Sequence, residues 1–138
     1  MERLEGLHFY INIANFDDVI EDEESKTGKL NHSIHALDTY FSSIESFGKK
    51  YYPNDFVVEK ITGSRLHLYV VADVKAAFRI VSSVSRFAIR LSHYLNRDIV
   101  KYKTLLYFRI QVGACYGQFY NFTFVRKDAE EDTTIGYA

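Results

Sequence analysis

A hairpin set between two long amphipathic stretches most constrains what this chain can fold into. Phe56 to Ile61 reads as a strand, Thr62-Gly63-Ser64 as a tight turn, and Leu66 to Ala72 as the antiparallel partner strand. Before the hairpin, Ile34, Leu37, Phe41 and Ile44 recur at helical spacing, which predicts a helix from Leu30 to Phe47 with Gly48 as its C-terminal cap. After it, Asp73 is placed to cap a second helix whose apolar face is Ala77, Val81, Val84, Phe87, Ala88, Leu91 and Leu95, closed at Asn96-Arg97-Asp98. Helices on both sides of a hairpin must cross over a sheet. The expected architecture is therefore an antiparallel or mixed sheet with helices on one face, leaving the other face for a ligand or partner.

The flanking strands complete this plan. Leu7 to Ala14 predicts a first strand, Leu105 to Ala114 and Gln118 to Val125 two late ones, and Thr133 to Ala138 the start of a helix. The expected order is β-α-β-β-α-β-β. DDVIEDEESKTGK, with six acids among its first eight residues, reads as a solvated loop because no spacing in it fixes a coordination shell. Arg126 to Asp132 reads as a charged loop. With 138 residues the chain is long enough for a single core, and no repeat is present. A net charge of -1 gives no electrostatic reason to expect nucleic acid or an anionic membrane as partner. No apolar run approaches a transmembrane length, no signal-peptide pattern opens the chain, and the single Cys115 fits a reducing cytosol.

Candidate chemistry is sparse. His32 and His35 lie three apart on a helix without an evident third metal ligand, and Cys115 reads as a small buried hydrophobe. Gly113, Gly117 and Gly136 match no phosphate-cradling spacing. Asn12 is the anomaly: an amide in the middle of YINIANF, where an aliphatic residue would pack better in a core strand.

Four stretches, in order, carry a resemblance: YINIANFDD at the end of the first strand, EKITGSRLHLYV in the hairpin, FRIQVGACYGQF late in the chain, and TTIGYA at its end. Together they resemble the catalytic domains of class III nucleotide cyclases. The resemblance implies an α+β, ferredoxin-like βαββαβ sandwich, helices on one face of a mainly antiparallel sheet, over a single domain 1–138 that stops before the family's last catalytic helix. It places Asn12 and Ser64 where the family carries two aspartates that hold two divalent metals. An amide and a hydroxyl are poor substitutes, because hard cations prefer anionic oxygen. The chain is thus most similar to the half of paired cyclases that lacks the metal aspartates. By the same resemblance Lys60 and Thr133 are base-binding candidates, and Arg65 is a phosphate candidate.

The expected function is a degenerate cyclase homology domain, acting as a dimerisation or regulatory module or as the non-metal half of a cyclase. Its expected partner is a second copy or another cyclase domain, with a nucleoside triphosphate as possible ligand. The alternative is an active, divergent class III cyclase, such as the bacterial pyrimidine-cyclase type used in phage defence, with Asp17 or Asp18 as substitute ligands for Mg²⁺ or Mn²⁺. A third reading is an α/β interaction domain with no nucleotide history.

Overall fold

The structure is a computed structural model that describes residues 2–97, 106–125 and 130–137. Strand β1 spans Glu2–Ile13, helix α1 Phe16–Thr27, helix α2 Asn31–Tyr51, strand β2 Phe56–Thr62, strand β3 Arg65–Val71, helix α3 Val74–Asn96, strand β4 Ile110–Val125 and strand β5 Glu130–Tyr137. The strands form one sheet in the order β2-β3-β1-β4-β5, and every described pairing is antiparallel. This is the expected α+β plan, with β1 at the centre.

Alternation along β1 divides the sheet into two faces. Leu7, Phe9, Ile11 and Ile13 point to the helices and are buried, joined by Leu66, Leu68 and Val70 of β3. The helices close that core with Ala36, Tyr40, Ile44 and Phe47 of α2 and Ile80, Val84, Leu91 and Leu95 of α3. His8, Tyr10 and Asn12 point the other way, as do His67 and Tyr69. No helix among the described residues is long and apolar enough to cross a membrane.

Several expectations need correction. The acidic stretch is a helix, not a loop. Phe16, Val19 and Glu23 supply an inward stripe at helical spacing, with Val19 and Glu23 buried. Asp17 and Asp18 lie in the first turn and Lys26 in the last, where the helix dipole favours each sign, and Asp22 pairs with Lys26 at 2.7 Å. Gly28 ends α1 in the left-handed conformation.

Gly48 does not cap α2, which runs on to Tyr51. Its role is close approach: a Cβ at this position would lie 2.2 Å from the Phe56 ring. Ile34 is 62% exposed, and the inward face of α2 is instead Ser33, Ala36, Tyr40, Ile44 and Phe47.

The late segment holds one long strand rather than two. β4 tracks β1 from Ile110 opposite Ile13 to Asn121 opposite Glu2, so the long central strand carries the ladder straight through Gly113 and Gly117. Thr133 to Tyr137 of the TTIGYA segment lie in strand β5, paired to β4, and do not begin a helix; Ala138 lies outside the described residues. Of the expected charged loop, 126–129 lie outside the described residues, and Glu130 to Asp132 belong to β5. Cys115 is half-buried on β4 rather than packed in the core.

Candidate functional site

The register of β1 against β3 builds the site. Ile11 pairs with Leu66, so the turn two residues earlier falls beside Asn12 and Ile13. That turn has two residues, and Gly63 at φ 60° takes the first position, which a type II′ hairpin reserves for glycine. Ser64 is thereby turned inward and is 6% exposed. Its Oγ donates to Asn12 Oδ1 at 2.8 Å and lies 3.3 Å from the Ile13 carbonyl. Its own carbonyl accepts from the Tyr40 hydroxyl of α2 at 2.8 Å. Burial of Tyr40 pushes its phenol well above the usual range, so it remains a donor. Two residues far apart in sequence thus converge on a common hydrogen bond at the C-terminal end of β1.

An open cleft of about 1010 Å³ lies over this end of the sheet. Asn12, Lys60, Arg65, His67 and Gln111 are among the residues that line it. A smaller pocket of about 340 Å³, sharing Asn12 and Arg65 with the cleft, includes Asp17 and Ser64. Asp17 is therefore near the site, whereas Asp18 lines neither cavity. Lys60 and Arg65 are exposed, on β2 and at the start of β3. Thr133 lies on β5 opposite Phe122, well along β4 from Gln111, the residue opposite Asn12. Within β-strand register, the chain does not bring Thr133 into the Lys60 row.

Sequence reasoning missed an aromatic and imidazole cluster on the same face. The Tyr10 and His67 rings stack at 4.6 Å and 6°. His67 Nε2 lies 2.9 Å from His8 Nδ1, and the His8 ring meets Phe119 edge-on at 4.5 Å. One of the two imidazoles must donate and the other accept, so the pair cannot carry two protons at the shared contact. Burial lowers both pKa values; the neighbouring His67 charge lowers that of His8 further, while Glu59 draws that of His67 back up. Period-two spacing of His8, Tyr10 and Asn12 in β1 and of Arg65, His67 and Tyr69 in β3 was the signal that could have found this surface.

The amides missed by sequence reasoning are structural. Asn15 Nδ2 donates to the Tyr107 carbonyl at 2.7 Å, and its Oδ1 accepts from Arg109 N at 2.9 Å. Asn96 makes the same pair of bonds to both backbone groups of Phe108. They pin the segment that leads into β4 and so position Gln111 in the cleft.

The fit to a divalent metal is poor. Asn12 has only one oxygen to offer a cation, a neutral amide oxygen that already accepts the Ser64 proton on one of its lone pairs. Asp17 is the single carboxylate among the described residues that lines either cavity. Among the described residues no group of three or more His, Cys, Asp or Glu is placed to hold a metal ion, and His35 is exposed while His32 packs 5.7 Å from Phe108.

No family model and no curated protein matches the chain. Solved structures do. The guanylyl cyclase Cya2 aligns with a TM-score of 0.71 at 11% identity, over 98% of this chain and 65% of that one. The adenylyl cyclase CyaB from P. aeruginosa gives 0.69 at 17% identity, over 98% and 67%. A class III adenylyl cyclase-like ATP-binding protein from Pseudomonas aeruginosa gives 0.68 at 15% identity, over 96% and 28%. The chain spans less than two thirds of the length of the Cya2 chain. At these identities the likeness is one of fold: the chain has the fold of class III nucleotide cyclase domains.

Proposed function

We propose that this cyclase-fold domain is degenerate at its two-metal position and acts as a dimerisation or regulatory module, or as the non-metal half of a cyclase. The Ser64-to-Asn12 hydrogen bond at 2.8 Å carries this reading. By the sequence resemblance the two residues stand at the metal-aspartate positions, and here they hydrogen-bond to each other as a neutral pair. A pair of carboxylates at that distance would repel and would need a cation between them; a hydroxyl and an amide need none. A nucleoside triphosphate is the ligand class that such a face would take, and the likeness to a cyclase-like ATP-binding protein supports binding as a role distinct from turnover.

The purified chain with Mn²⁺ and each nucleoside triphosphate is expected to yield no 3',5'-cyclic product by mass spectrometry. Without two metals the charge developing on the phosphoryl oxygens lacks its main stabilisation. Product that appears only when a domain carrying both aspartates is added supports the half-site role. One observation favours the second reading, an active divergent cyclase: Asp17 reaches the pocket that holds Ser64. Robust cyclic nucleotide from the chain alone, lost in Asp17→Ala, would establish that reading and overturn the first.

A further inference from the structure

Hydrogen-bond direction at Asn12 has a chemical consequence. Ser64 occupies the amide oxygen, which leaves the Asn12 NH₂ group, with its two N–H donors, as the polar end of this side chain not used by Ser64. The Ser64 hydroxyl proton is directed at carbonyl oxygens, and the Ser64 carbonyl is taken by Tyr40. The surface that would have to offer oxygens to a cation therefore offers donors instead.

The charges beside it have the same sense. Lys60 and Arg65 line the larger cleft with Asn12, and no acid among the described residues lines it. Gln111, opposite Asn12 on β4, adds a neutral amide. Glu59 precedes Lys60 at the irregularity in β2 and its charge is felt at His67, while Asp17 borders the smaller pocket. Two cations, one of them a guanidinium whose planar fork matches phosphate oxygens, outweigh these two peripheral carboxylates within the cleft.

We infer that this cleft binds a polyphosphate chain, free or carried by a nucleotide, directly as an anion through Asn12, Lys60 and Arg65 and without a divalent metal, with Lys60 meeting phosphate rather than the base that the resemblance implied for it. The inference rests on the reading of the site as degenerate and says what replaced the metals: cationic side chains in place of a bound cation.

Calorimetric titration in EDTA with sodium tripolyphosphate, ATP and adenosine tests it. Tripolyphosphate and ATP are expected to bind and adenosine to bind far more weakly. Excess Mg²⁺, which neutralises the ligand, is expected to weaken binding. Lys60→Ala and Arg65→Ala, both at exposed positions and expected to leave the circular dichroism unchanged, should each cost about tenfold in affinity, the size expected for one charge-assisted hydrogen bond. Asn12→Asp should weaken binding in EDTA and make Mg²⁺ favourable. Tripolyphosphate binding without ATP binding supports the anion site with a free polyphosphate as its source. ATP binding without tripolyphosphate binding overturns the inference, as does affinity unchanged in both cation variants. Binding only with Mg²⁺, lost in Asp17→Ala, overturns it too. Cyclic product from the chain alone defeats the degenerate reading, whereas an inactive chain that binds no phosphate defeats this inference alone.

Discussion

Glu23 shows how one buried charge holds two elements together. It sits on α1, 4% exposed, and its carboxylate accepts from His32 N, Ser33 N and Ser33 Oγ at 2.6–3.0 Å. It therefore caps α2 from outside, in place of Leu30, which has no side chain for the task. Burial by itself would raise its pKa, but these hydrogen bonds outweigh burial and hold it below the usual 4.5. With the folded value depressed, the unfolded chain binds more protons between the two values. The contribution of Glu23 is then complete above pH 4.5 and is lost as pH falls toward the folded value. Glu23→Gln should cost about 2 kcal/mol in urea denaturation at neutral pH and flatten the acid limb of the stability profile. Gly48→Ala tests packing at the same scale. Helix propensity predicts a gain of about 1 kcal/mol, yet the added methyl meets the Phe56 ring, and overpacking costs about 1–3 kcal/mol. A lower thermal midpoint is expected, partly restored by Phe56→Leu.

At the scale of elements, the segment 106–109 is joined to the end of β1 by one backbone bond, Ala14 N to the Arg109 carbonyl at 2.7 Å, and is otherwise held by side chains from both ends of its surroundings. Asn15 follows β1, Asn96 ends α3, and Asp22 of α1 accepts from Leu106 N at 3.2 Å. The Phe108 ring between these clamps is 1% exposed and belongs to the core. Asn96→Ala leaves a buried N–H and a buried C=O of Phe108 without their partner, a loss of about 3 kcal/mol. Chemical denaturation should register this loss, and amide exchange at Phe108 should quicken more than exchange in β3. Equal acceleration throughout would mean that the clamp acts only through global stability.

For the whole molecule, the decisive property is the one-sided sheet. Helices cover one face, and on the other the surface around Tyr10, which is 56% exposed, remains open, while His8, Tyr69 and Phe119 nearby are buried. An aromatic platform next to an open cleft is a surface that association would cover. The proposed module role therefore predicts self-association at high concentration in sedimentation velocity, shifted toward monomer by Tyr10→Glu. Monomer alone at the highest soluble concentration would contradict that role for the isolated chain.

Much of the fold was legible because period-two and period-3.6 apolar patterns follow directly from which residues can be buried. Phe56–Thr62, Arg65–Val71 and the Asp73-capped helix were read nearly to their ends for that reason. The acidic helix was not, because its inward stripe is short and one of its members is Glu23, whose burial depends on amides supplied by another helix. Nor were β4 and β5: glycines that mark turns in isolation sit within a ladder when a long central strand lies alongside. For the candidate site, Asn12 stood out in the sequence as an amide in an apolar strand, whereas Ser64 read as an ordinary turn residue and was placed at the site only by the family resemblance. Their hydrogen bond, the direction of its proton and the cations that share their cleft depend on strand register and on the inward turn of Ser64. Those relations join residues distant in the chain, and only the tertiary structure could decide them.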